Sequence, residues 1–147
     1  MNGKKVCGIL TEMALEQTTI DYVVIGVGIN VNQSIFDTEI ATIATSIALE
    51  LGRKITRTEL IGRILHYFEK EYAEFAKTYD LGSLMERYNG YLLNRDTQVR
   101  VLDPKGEYEG FALGINSQGE LMVKRQNGEI EAVYAGEVSV RGIYGYV

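Results

Sequence analysis

The chain has 147 residues, 46% hydrophobic and 24% charged, with a formal net charge of −5. This is ordinary globular composition, with room for one sizeable core and a small satellite domain. Ten basic and thirteen acidic residues precede Thr97, and five and seven follow it; neither half has the cationic face that non-specific nucleic-acid binding needs, so no nucleic-acid partner is expected.

Cys7 is the sole cysteine and His66 the sole histidine, which excludes an intrachain disulfide and a cysteine metal cluster and argues against a histidine zinc site or a triad with a histidine base. Cys7 reads as a small buried hydrophobe and His66 as structural or surface. No apolar run approaches the roughly 20 residues of a membrane helix, so no membrane partner is expected. The N-terminus lacks the basic-then-apolar order of a signal peptide. The expected location is the cytoplasm.

Asn2-Gly3 opens the chain with a strong two-residue hairpin signal. The strand after it, Val6 to Glu12, is short and apolar; the strand before it would lie upstream of Met1. The sequence therefore reads as a longer protein cut at this turn. Asp21 to Val31 is the second strand, and Tyr22-Val23-Val24-Ile25 is apolar on both faces, the pattern of a buried central strand. Ile40, Ile43, Ala44, Ile47 and Leu51 recur at helical spacing and predict a helix ended by Gly52. Thr56, with Glu59 three residues on, forms a capping box for a second helix, whose stripe is Leu60, Ile61, Ile64, Leu65, Phe68, Tyr72 and Phe75. A shorter helix is predicted over Ser83 to Asn89.

From about Thr97 the pattern is strand and turn. Asp103-Pro104-Lys105-Gly106, Asn116-Ser117-Gln118-Gly119 and Gln126-Asn127-Gly128 are turn signals. They separate Gln98–Leu102, Glu107–Ile115, Glu120–Arg125, Glu129–Tyr134 and Val138–Ile143, which predicts a small antiparallel barrel. Gly110, inside a strand, predicts a bulge or closing bend. The fold class is α+β: a partial mixed α/β domain over residues 1–95, then an all-β barrel over 96–147.

Three motifs bear on chemistry. Lys5-Val6-Cys7-Gly8-Ile9-Leu10 puts a cation at a strand start and a bare backbone three residues later, suited to an anion or polar ligand; alone, it reads first as a solvent-facing lysine with a glycine packed against a neighbour. Ile25-Gly26-Val27-Gly28-Ile29-Asn30-Val31-Asn32 lacks the dinucleotide and Walker patterns. It offers bare backbone at a strand end and, in Asn30, an amide that both donates and accepts; a plain glycine-containing turn fits too. In Gly136-Glu137-Val138-Ser139-Val140-Arg141, Glu137 and Arg141 share a strand face, either as a phosphate contact or as a solvated pair.

In this order and spacing the three motifs resemble bacterial biotin protein ligase: a Lys-x-x-Gly-Ile-Leu strand at Lys5–Leu10, an Ile-Gly-x-Gly-Ile-Asn-x-Asn strand end at Ile25–Asn32, helices of the type Ala41 to Gly52, and Gly-Glu-x-Ser-x-Arg at Gly136–Arg141. The resemblance implies the C-terminal part of the catalytic domain followed by an SH3-like barrel. It implies an enzyme that makes biotinyl-5′-adenylate from biotin and ATP with magnesium, then transfers biotin to a lysine of a carrier domain such as that of acetyl-CoA carboxylase. On that resemblance Lys5 is catalytic, meeting the biotin carboxyl and the α-phosphate. Gly8 and Leu10 line the biotin floor, Gly26 and Asn30 face the nucleotide, and Glu137 and Arg141 reach the ATP phosphates and magnesium; no direct metal ligand is assigned. The family's glycine- and arginine-rich biotin loop and its Trp-Pro-Asn-Asp segment are not in this sequence, nor is a helix-turn-helix. The piece alone is therefore expected to be inactive, and to self-associate as a dimer or larger assembly. The alternative is a non-catalytic protein-interaction or nucleotide-binding module.

Overall fold

A computed structural model of the chain describes residues 1–104, 106–134 and 139–142, the last four by their backbone. The chain divides into two compact units, residues 1–63 and 64–146.

In the first unit, residues rich in β-branched and aliphatic side chains form β1 (Cys7–Glu16) and β2 (Thr19–Ile29), a two-stranded antiparallel hairpin. Gly8 pairs with Gly28, Leu10 with Gly26 and Glu16 with Thr19, with one irregularity between Ala14 and Leu15. Gln17, at φ 56°, turns the chain. Both predicted strands exist, each longer on the turn side. The burial expected of the second is not found: Val23, Val24 and Ile25 are 49, 50 and 47% exposed. A two-stranded ladder has two open faces, and no third layer among the described residues covers either.

Asn2 (φ 47°) and Gly3 (φ 75°) both take left-handed backbone, and Lys4 N donates to Met1 O at 2.9 Å. That is the hairpin-type turn Asn-Gly favours.

The helix expected from Ile40 starts later. Ala41 N and Ala44 N donate to Asp37 O and Ile40 O in isolated turns, then the chain extends. Lys5 N donates to Ile43 O at 2.7 Å and Thr45 N to Lys5 O at 2.9 Å, a parallel bridge. The bridge occupies backbone groups that a continuous helix would need. Helix α1 (Ile47–Leu51) begins only after Ser46, which has extended backbone and accepts from Leu49 N through its side chain. Gly52, at φ 66°, stops it as predicted.

Helix α2 (Arg57–Thr78) runs from the first unit into the second, and α3 (Gly82–Tyr91) follows. Both lie where the periodicity placed them. Phe68, Tyr72, Phe75 and Tyr79 follow one another ring to ring at 5.8 to 6.1 Å.

The five expected strands are β3 (Thr97–Leu102), β4 (Tyr108–Ile115), β5 (Leu121–Arg125), β6 (Ile130–Val133) and β7 (Ser139–Gly142), in the antiparallel order β6-β5-β4-β3-β7. Val99, Val101, Ala112, Val123 and Val133 form the core, with Tyr108 and Leu121 packed on it. All three turn signals close hydrogen-bonded reversals, Gly106 N to Asp103 O, Gly119 N to Asn116 O and Gly128 N to Arg125 O.

Gly110 does not bulge. A Cβ there would lie 2.5 Å from Val123 Cγ1 and 2.9 Å from Lys124 O, so its role is close approach. The irregularity lies further on, between Ala112 and Gly114. There Asn89 of α3 latches onto β4: its Oδ1 accepts from Ile115 N at 2.7 Å and its Nδ2 donates to Ile115 O at 3.0 Å. At one end of the sheet Arg125 lies 3.6 Å from the centre of the Tyr108 ring, and its Nε donates to Glu131 at 2.7 Å. Burial, and then the nearby Glu131 carboxylate, push the Tyr108 hydroxyl up to about 12.

Candidate functional site

Residues directly opposite in an antiparallel pair share a face. The register therefore puts Gly8, Gly28, Leu10 and Gly26 on one face of the hairpin. None of the three glycines has a positive φ. A Cβ would lie 3.8 Å from Lys5 Cε at Gly8, 3.7 Å from Leu10 O at Gly26 and 3.8 Å from Gly8 O at Gly28. Alanine would fit each position at ordinary contact distance, so nothing in the backbone or in the packing of these residues demands glycine. What the glycines provide is a flat stretch of uncovered peptide. The Lys5 side chain folds back over its end, with Nζ 4.0 Å from where a Gly8 Cβ would sit. A planar ligand could lie against such a face, with negative charge toward Lys5.

The structure thus brings Lys5, Gly8, Leu10 and Gly26 together. Asn30 lies at the end of the same strand, but its amide is partly engaged: Nδ2 donates to Thr45 O at 3.1 Å. Its backbone is held as well, by Asn30 N to Val6 O and Ile47 N to Asn30 O, both 2.9 Å. Cys7 is only half-buried, with its thiol 3.6 Å from Gly8 O, rather than fully inside as its residue type suggested.

A polar seam continues from the open end of the hairpin, where Asn30 and Lys5 both bond to Thr45. Ser46 is fully buried and donates to Gln33 O at 2.6 Å. Thr45, 3% exposed, donates through its hydroxyl to Glu50 Oε1 at 2.6 Å, and Asn2 Nδ2 donates to Glu50 Oε2. These two donors hold the Glu50 carboxyl below the usual range. Asn32 grips the backbone of Ile55 at both ends, Nδ2 to O at 2.8 Å and N to Oδ1 at 2.9 Å. Asn32, Thr45, Ser46 and Glu50 do not stand out in the sequence as site residues. Asn32 sits inside a motif that does, and its spacing from Asn30 is the one available signal.

Of the residues expected from the second unit, Glu137 lies outside the described residues. Arg141 lies on β7, paired in register with Arg100 of β3. Among the described residues no group of three His, Cys, Asp or Glu could hold a metal ion. Also among them, no helix is long and apolar enough to cross a membrane.

Residues 96–141 match the family described as the biotin protein ligase C terminal domain. Over 142 residues the chain is 38% identical to the bifunctional ligase/repressor BirA of Bacillus spizizenii and 37% to that of Bacillus subtilis, covering 95% of this chain in each case. Its fold superposes on the apo biotin protein ligase of Aquifex aeolicus with a TM-score of 0.81 at 25% identity, over 97% of this chain. Nearly all of this chain is similar to a part of the bacterial biotin protein ligases. It spans 43% of the length of the two BirA proteins and 61% of the Aquifex ligase. The Aquifex ligase in complex with biotin and ATP matches at 0.79 and 26% identity, over 95% of this chain and 57% of that one. The similarity to these ligases takes in the glycine face and the five-stranded sheet alike.

Proposed function

We propose that this chain supplies the lysine-bearing face of a biotin–protein ligase. In the first half-reaction a biotin carboxylate oxygen attacks the α-phosphorus of ATP; the bond to the β-phosphate oxygen breaks and pyrophosphate leaves. In the second, a carrier lysine amine attacks the carboxyl carbon and AMP departs. The carrier is a biotin carboxyl carrier domain, such as that of acetyl-CoA carboxylase. Lys5 would stabilise negative charge growing at the carboxylate and α-phosphate. Gly8 and Leu10 would line the biotin floor, and Gly26 and Asn30 would sit against the nucleotide, with Asn30 facing adenine. Arg141, with Glu137, would meet the ATP phosphates and magnesium from the second domain. The domains proposed are residues 1–95 and 96–147, the second an SH3-like barrel, in a cytoplasmic enzyme.

The observation that carries this reading is the glycine face itself: three glycines that the fold does not require, ending under a lysine. Isothermal titration of the 147-residue chain with biotinyl-adenylate and with ATP tests it. Measurable adenylate affinity, lost in Lys5→Ala, supports the ligase reading. Affinity for ATP alone favours a nucleotide-binding module, and binding of neither favours an interaction module. In a polypeptide of the relatives' full length, Lys5→Ala should slow adenylation by roughly 10²–10³-fold; a normal rate would return Lys5 to a surface role. The 147-residue chain alone should not biotinylate a carrier, since its described residues leave both faces of the hairpin open and orientation needs converging groups. A dimer or larger assembly through the hairpin is part of the same proposal.

A further inference from the structure

We infer that Glu50 is a positioning residue for Lys5. The inference rests on the ligase reading only for its kinetic consequence. Lys5 lies two residues before β1 in an isolated parallel bridge with Ala44, and its backbone is held there by Ile43 O and Thr45 N. Thr45 is in turn fixed by its hydroxyl on Glu50 Oε1. The other carboxylate oxygen accepts from Asn2, in the turn that delivers Lys5. One carboxylate on a five-residue helix therefore grips the chain on both sides of the lysine: the turn before it and the bridge partner beside it. Both grips are charge-assisted, and such bonds are roughly twice as strong as neutral ones. Glu50 touches nothing on the glycine face and has no part in the chemistry; it sets where the Lys5 ammonium stands.

Hydrogen exchange tests the grip directly. In the 147-residue chain, Glu50→Ala should raise exchange at the Lys5 and Thr45 amides by about tenfold or more, the scale of one lost charged hydrogen bond. Protection in the five-stranded sheet should stay unchanged. Glu50→Gln, which keeps an acceptor for Thr45, should restore part of it. Unchanged exchange at Lys5 and Thr45 in Glu50→Ala overturns the inference, whatever the activity.

In the full-length polypeptide, Glu50→Ala should lower kcat for adenylation by about tenfold with little change in KM, because it displaces a group that acts in the transition state. On a Lys5→Ala background the same substitution should cost nothing further. An equal loss on both backgrounds makes Glu50 merely structural and overturns the inference. If the unsubstituted polypeptide forms no adenylate, the ligase reading falls and the exchange result decides the inference alone.

Discussion

The glycines of this chain fall into two kinds, and the difference is physical. At Gly110 a Cβ would collide with Val123 and Lys124 inside the sheet. Gly110→Ala should therefore destabilise the second unit by about 1–3 kcal/mol, as overpacking does, read as a lower urea midpoint. At Gly8 and Gly26 there is room. Alanine there should leave the midpoint unchanged or slightly raised, since glycine weakens a strand by roughly 0.5–1 kcal/mol relative to alanine, while abolishing adenylate binding. Loss of folding in Gly8→Ala would remove the main support for a ligand on that face. Tyr108 gives a pH test. Its hydroxyl is raised to about 12 from an ordinary 10.0, so the folded state holds the proton more tightly than the unfolded chain. Its contribution is complete below pH 10 and is lost as pH rises toward 12. Stability should fall over that window, and Tyr108→Phe should flatten the fall. The three motifs in their order, through the resemblance they carry, mark Lys5, Gly8 and Gly26. They do not mark Asn89 or Glu50, because each is defined by a partner that only the fold brings near: Ile115, and the pair Thr45 and Asn2.

At the scale of elements, legibility follows local chemistry. The five strands of the second unit can be read almost to the residue because Gly, Asn and Asp turns punctuate them. The segment from Ile40 to Leu51 misleads, because its apolar spacing is helical while the Lys5 bridge pulls Ala44 and Thr45 into extended backbone. Periodicity reports which side is apolar, not where the hydrogen bonds go. The two sheets should also differ in stability. The five-stranded sheet encloses Val99, Val101, Ala112 and Val123 at 1% exposure or less, whereas an isolated two-stranded hairpin is marginal in water. Hydrogen exchange should show β3 and β4 amides opening only with global unfolding, and β1 and β2 amides opening far more readily. Equal protection in both sheets would mean that the hairpin faces are covered.

For the whole molecule, those faces set its behaviour in solution. On the face opposite the glycines, Ile9, Met13, Val23, Ile25 and Val27 are all exposed, and contiguous apolar surface of this kind favours association. A charge of −5 opposes it, and salt screens that repulsion. Light scattering should show a mass that rises with protein concentration, and more steeply at high ionic strength; a constant monomer mass would count against the proposed assembly. The same two-sided hairpin also sets a problem of alignment. When one face of a strand is buried, a slip of one residue turns its apolar side chains outward, and that cost locks the register. Here neither face is covered among the described residues, so a slip would change little in burial and the usual lock is absent. Alignment rests instead on the tight reversal at Gln17 and on the Lys5 bridge at the opposite end. The glycine face behaves like a vernier: it reads true only while Gly8 stands against Gly28. A β-branched residue at Gln17, strained at a φ of 56°, would blur that reading from the far end of the hairpin without touching any residue of the face.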